Sequence, residues 1–242
     1  VTAYESAYYK QHSPLEFFCS SLRLSIEEQD PLAEMRRIIG DAKKHNYSVY
    51  GPTIDDMEPN FYIKDESVVF GIGNIKGMGE NTVHKLFDNL SQLESRIQKK
   101  LKDWTWFDFL VNLTVSKESS VIGSSNLLKL IQSGAIDRDV SRKRMMFELE
   151  NWDILSKGEK EWILKNKFKF TNLKDALQSL GKSKKDGGGC HKADRIPIVQ
   201  SIVKILDKPP TNLDDTIESL SKMESEILGL ALSCSLVESC DL

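Results

Sequence analysis

The sequence predicts a mainly α-helical fold with one small β hairpin. Three observations carry this. Apolar residues recur at helical spacing, the first helices have well-marked starts, and the one pair of short extended apolar runs is Phe61-Tyr62-Ile63 and Val68-Val69-Phe70. Taken in order, Ser13-Pro14-Leu15-Glu16 reads as a capping box with proline at the first helical position, opening an amphipathic helix through Phe17, Phe18, Leu22 and Leu24. Asp30-Pro31 opens the next helix. It runs through Met35, Ile38 and Ile39 and ends near Lys43-Lys44-His45-Asn46, where basic residues suit the helix dipole. Gly51-Pro52 breaks the chain ahead of the hairpin, whose strands are separated by the polar Lys64 to Ser67.

The hairpin leads directly into Gly71-Ile72-Gly73-Asn74-Ile75-Lys76-Gly77-Met78-Gly79 and a helix-compatible stretch from Glu80 to Leu90, with Val83, Leu86, Phe87 and Leu90 on one side. Leu93 to Leu101 and Phe107 to Leu113 read as short amphipathic helices, the first carrying Arg96, Lys99 and Lys100, with Lys102 just after it. A second hairpin follows. Asn126 to Ile131 is a helix ending at Ser133-Gly134, then Ala135-Ile136-Asp137, then a helix from Ser141 to Leu149 that begins with Arg142, Lys143 and Arg144. Residues 181–192 are basic and glycine-rich, and read as a loop or linker unable to pack a core. Ile196 to Leu206 is a helix stopped at Pro209-Pro210, and the last helix runs from about Asp214 through Leu220, Met223, Ile227 and Leu230.

The net charge of −3 conceals a division along the chain. Residues 1–95 carry 9 basic and 15 acidic side chains, residues 96–192 carry 20 and 12, and residues 193–242 carry 4 and 9. A basic middle in an acidic protein points to a polyanion at one surface, although a lysine-rich solvated helical surface has the same composition. No apolar stretch approaches the roughly 20 residues that cross a bilayer, and no charged-then-apolar leader is present, so no membrane partner is expected. Val1 in first position predicts a fragment. Cys19, Cys190, Cys234 and Cys240 lie far apart without a C-x-x-C pair, which predicts a reduced, cytoplasmic setting. Cys190-His191 has no second pair at ligand spacing, so no metal site is expected there.

A Gly-apolar-Gly turn before a helix is suited to an anion, because glycine permits close approach and the helix start offers unpaired N–H groups. Spacing excludes two clients. The dinucleotide fingerprint would need glycine at Lys76 or at Thr82, and no glycine is followed by the Lys-Ser/Thr of a P-loop at the required distance. What remains has the shape of a helix-hairpin-helix DNA-binding element, with Lys76, Gly77, Met78, Gly79 and Lys85 as candidate contacts. Gly134, Arg142, Lys143 and Arg144 are weaker candidates in the second hairpin, where Gly134 reads first as an ordinary helix C-cap.

Several segments, in order, resemble the C-family replicative DNA polymerases, the alpha subunit type of bacterial DNA polymerase III. The resemblance lies in residues 3–18 (AYESAYYKQHSPLEFF), in Phe70 to Gly79, and in Leu130-Ile131-Gln132-Ser133-Gly134-Ala135-Ile136-Asp137. Glu226-Ile227-Leu228-Gly229-Leu230-Ala231-Leu232-Ser233 is similar to the family's approach to its OB-fold, but Cys234-Ser235-Leu236 stands where Gly-His-Pro is common. The resemblance implies five segments: distal polymerase fingers over 1–50, a β hairpin connection over 51–70, tandem helix-hairpin-helix over 71–150, a helical insertion over 151–212 with its linker at 181–192, and a C-terminal helix over 213–242 leading toward an OB-fold. It also implies a phage or bacterial source and duplex primer-template DNA as partner, with the rest of the polymerase chain and sliding-clamp or replisome proteins beside it. Magnesium would sit in the parent palm, outside this fragment. No catalytic residue is assigned, since Asp55-Asp56 and Asp214-Asp215 have structural explanations as adjacent pairs. Two other functions fit the same residues: a free-standing helix-hairpin-helix module of repair or recombination, and a helical protein-interaction scaffold in which the glycine run is only a turn.

Overall fold

The computed structural model describes residues 2–115, 122–190 and 192–233, apart from the side chains of Thr2, Ala3 and Lys185. Among them are eleven α-helices and one three-stranded sheet, so the fold is mainly α. The chain divides into two compact units that alternate along the sequence. The first takes Val1–Val83, Gln132–Asp137 and Thr216–Leu242, and the second His84–Ile131 and Arg138–Asp215.

In the first unit, α1 (Thr2–His12), α2 (Pro14–Ser25) and α3 (Pro31–Lys44) pack in sequence, burying Phe18, Leu22, Met35 and Ile38. Asp30 caps α3 by accepting the Ala33 N–H at 3.1 Å. The capping box expected at Ser13 does not form. Helix α1 runs up to His12, so the Ser13 N–H already donates to the Tyr9 carbonyl at 2.8 Å and the Glu16 carboxylate has no donor there to accept. Strands β1 (Val49–Tyr50), β2 (Tyr62–Lys64) and β3 (Ser67–Val69) follow. The hairpin β2–β3 is antiparallel with Ile63 opposite Val68, and Asp65 and Glu66 make its two-residue turn at φ 47° and 56°, the sign that a right-twisted hairpin requires. Two-residue β1 adds to β3 in parallel, Val49 opposite Val68, and was too short to register as a strand in the sequence. Phe61 and Phe70 stack edge to face at 4.5 Å behind the sheet.

The unit is completed by α11 (Ile217–Leu228), shorter at its start than the sequence suggests because Thr216 makes the cap with Ser219. Gly229 ends it at φ 81°, the left-handed backbone that favours glycine. The buried Glu224 then accepts the N–H groups of Leu232 and Ser233 at 2.7 and 2.9 Å and turns the chain back.

The second unit holds most of α4 (Glu80–Ile97), then α5 (Trp106–Thr114), most of α6 (Gly123–Gln132), α7 (Arg142–Asp153), α8 (Lys157–Asn166), α9 (Leu173–Leu180) and α10 (Arg195–Asp207). Helix α4 absorbs much of the separate helix expected over Leu93–Leu101, since no glycine or proline interrupts residues 80–97. Trp104, Phe109, Leu110, Trp152 and Leu177 are fully buried, and the Trp152 indole N–H reaches the Thr114 hydroxyl at 2.7 Å. The stretch 181–192 is a loop, but it packs against the core, which its composition did not lead one to expect. Gly189 lies against the Trp162 ring and the Leu180 methyl, where a Cβ would come within 2.4 and 2.7 Å, and Cys190 is buried. Glycine here lets the backbone itself pack on the core. His191 lies outside the described residues.

Candidate nucleic-acid interface

The glycine run divides into two halves with different tasks. A Cβ on Gly71 would lie 2.4 Å from the Pro59 carbonyl, and one on Gly73 would lie 2.6 Å from its oxygen. The N–H groups here are taken internally: Gly71 donates to Asn74 Oδ1 at 3.2 Å, Ile72 to the Glu58 carbonyl at 2.8 Å, and Gly73 to the Pro59 carbonyl at 2.9 Å. This half is a packed strand exit. Residues 72–74 form a single 3-10 turn, so the first element is strand, turn and helix, without the α-helix that a helix-hairpin-helix would place before the turn.

The second half is different. The Lys76 N–H donates to the Ile227 carbonyl at 3.0 Å, which anchors the turn on α11, while its side chain is exposed. Gly77 adopts φ 74°, the left-handed region that favours glycine. Met78 is buried at 3% exposure and its N–H donates to the Ile75 carbonyl at 2.9 Å, so Met78 anchors the turn and does not offer an N–H to a ligand. Gly79 is exposed, a Cβ on it would meet nothing within 4 Å, and its N–H makes no hydrogen bond to the described residues. Its carbonyl accepts the Thr82 and Val83 N–H groups at 2.8 and 3.1 Å and so launches α4. Lys85 lies exposed further along that helix. The turn therefore presents one open N–H at the head of an 18-residue helix, with a lysine on either side in sequence.

The second hairpin does have a helix on each side. Gly134 takes φ 77° just past α6 and serves as its left-handed cap, and Ala135 offers its carbonyl to the Ile54 N–H at 2.9 Å. Ser141 caps α7 through the Arg144 N–H at 3.2 Å. Arg142, Lys143 and Arg144 are not arranged as free phosphate contacts. The Asp215 carboxylate accepts the Arg142 and Lys143 N–H groups at 2.7 and 3.1 Å, and the Lys143 ammonium donates to the Asp214 carbonyl at 2.9 Å. Arg144 bridges Glu148 at 2.7 Å and the Leu206 carbonyl at 3.2 Å. A carboxylate already holds the anion position at this helix start, which the sequence could not show because Asp215 is some 70 residues away. The expected acid at the start of the last helix instead serves α7.

The fold and the turn thus define a mainly helical protein with a glycine turn at the head of a long helix. In sequence the chain is similar to DNA polymerase III subunit alpha. It is 26% identical to that of Deinococcus radiodurans over 151 residues, covering 62% of this chain and 10% of that protein. With the Buchnera aphidicola subsp. Acyrthosiphon pisum subunit it shares 26% over 180 residues, 74% of this chain and 14% of the relative, and with that of Thermus aquaticus 28% over 150 residues, 62% and 11%. The chain thus spans between a tenth and a seventh of the length of these curated relatives. No family model matches the chain. No helix among the described residues is long and apolar enough to cross a membrane.

Proposed function

We propose that the chain is a non-catalytic part of a replicative DNA-directed DNA polymerase of the DNA polymerase III alpha type, gripping the duplex backbone behind the active site. The reading places distal fingers in the N-terminal helices, and places the palm carboxylates with their magnesium elsewhere in the parent chain. One observation carries it: Gly79 is exposed, unobstructed and has an N–H without a partner among the described residues, at the head of α4. Glycine at 79 leaves the backbone open to close approach by a ligand. A phosphate fits, with Lys76 and Lys85 adding charge, and such a contact positions DNA without reading its sequence. At the second hairpin, Gly134 is the turn and Arg142, Lys143 and Arg144 are the positive charges offered to the DNA, while Asp215 satisfies the start of α7.

The test is duplex binding followed across salt concentrations. The reading expects sequence-independent affinity of about 10⁻⁴ to 10⁻⁶ M at physiological salt, falling steeply as salt rises, and weakened by Gly79→Leu. Binding that ignores both salt and Gly79→Leu would return the chain to the interaction-scaffold reading.

A further inference from the structure

The second unit carries a feature that this reading does not use. Phe168 is 83% exposed, the most exposed of the large apolar side chains among the described residues. It stands in Lys165-Asn166-Lys167-Phe168-Lys169-Phe170, on the 3-10 turn Lys167–Lys169 between α8 and α9. The alternate aromatic, Phe170, is half-buried, its ring tilted at 32° to that of Trp162 with the centroids 6.0 Å apart. A single exposed phenylalanine needs no explanation by itself. This one is held out on a hydrogen-bonded turn. The Lys167 ammonium donates to Asn112 Oδ1 at 2.7 Å and lies 5.2 Å from the Phe168 ring centroid, Lys169 donates to Asn166 Oδ1 at 3.0 Å, and the Phe170 N–H closes the turn on the Lys167 carbonyl at 3.0 Å.

The surroundings are basic. Lys165 and Lys169 are exposed, with no carboxylate partner among the described residues. Burial lowers the Lys167 ammonium below the ordinary lysine range, against a pull from Asp108, and the cations of Arg96 and Lys99 act in the same direction as burial. Asp108 is itself bound by Lys99 at 2.7 Å. One flat apolar ring among lysines is far smaller than the roughly 800 Å² per partner of a specific protein interface. It matches a nucleobase beside its phosphates, since base faces stack on aromatic rings and the backbone follows positive charge. In a duplex those faces are already stacked, so the base must be unpaired.

We propose that Phe168 is a stacking platform for an unpaired base of single-stranded DNA, with Lys165 and Lys169 as the contacts to the adjoining phosphates. The choice of DNA rests on the polymerase reading above; the stacking chemistry does not.

The test uses the full chain that contains these residues, an unlabelled 20-nucleotide oligothymidylate competing against a fluorescent one, and a 20-base-pair duplex in parallel. Phe168→Ala is expected to weaken single-strand binding about tenfold and to leave duplex binding unchanged. Phe168→Trp is expected to retain binding and to add a tryptophan emission that the thymines quench. Lys165→Gln with Lys169→Gln is expected to reduce the slope of log affinity against log salt by about 1.4. Gly79→Leu is expected to act on the duplex alone, so loss of the duplex grip and loss of the platform are separate results. Unchanged oligothymidylate binding by a folded Phe168→Ala overturns the proposal, as does an equal loss on duplex and single strand. Phe168-dependent binding that favours oligouridylate over oligothymidylate overturns the assignment to DNA.

Discussion

The Asp215 carboxylate accepts the Arg142 N–H at 2.7 Å and closes the start of α7 from 73 residues away. Lys143 adds a second N–H to the same carboxylate at 3.1 Å. Charge-assisted capping of this kind contributes on the order of 1 kcal/mol. Asp215→Ala should therefore lower stability by about 1 kcal/mol in urea denaturation, with Asp215→Asn keeping part of it. Because Asp214 and Asp215 approach the helix from the distant segment before Thr216, the loss should extend to the 208–215 segment as faster amide exchange.

Gly71 and Gly79 should separate packing from binding. A Cβ on Gly71 has to enter the Pro59 backbone, whereas one on Gly79 meets open space. Gly71→Ala is expected to cost about 1–3 kcal/mol by overpacking. Gly79→Leu should alter stability by under about 0.5 kcal/mol and weaken duplex binding about tenfold. Thermal melting and fluorescence anisotropy on the same two variants check both halves.

Gly77 and Gly134 both hold left-handed backbone, at φ 74° and 77°. Alanine at either site should cost about 1 kcal/mol. Asparagine, which tolerates this region better, should recover part of the loss at each position in the same denaturation series.

Glu159 gives a pH dependence. It caps α8 through Ser156 and is held by Arg195 at 2.9 and 2.8 Å. Burial raises its pKa, but the Arg195 guanidinium and the Ser156 N–H and hydroxyl outweigh burial and hold the carboxyl below the ordinary glutamate range. A carboxylate with a depressed folded pKa stabilises the fold above its unfolded value, near 4.5, and that stability is lost as pH falls through the folded pKa. Glu159→Gln should cost about 1–2 kcal/mol at pH 7 by removing the charge that pairs with Arg195, whose guanidinium is partly exposed and keeps its hydrogen bond to the Ile154 carbonyl. The difference from the parent protein should shrink below pH 4, as followed by urea midpoints.

Much of the fold was legible in the sequence where the cause is local. Asp30-Pro31 marked α3 because a side-chain acceptor and a fixed φ act within one turn. The two short apolar runs either side of the polar Lys64 to Ser67 marked β2 and β3, and Pro209-Pro210 correctly stopped α10. The misses share a different cause. Ser13 looked like a cap, but α1 had already taken its N–H. Leu93 to Leu101 looked like a separate helix, and α4 simply continued into it. The glycines near 189 looked like slack, and Trp162 made them a packing site.

Sequence alone determined that this protein is helical around one hairpin, and that Gly77-Met78-Gly79 is a turn at a helix head. Propensity, capping and glycine φ are properties of a few neighbouring residues. Only the tertiary structure decided which N–H groups of that turn have partners, that Asp215 fills the start of α7, and that Phe168 is exposed while Phe170 is half-buried beside Trp162. Those outcomes depend on residues tens of positions apart meeting in space, and no short window of sequence contains both members of the pair.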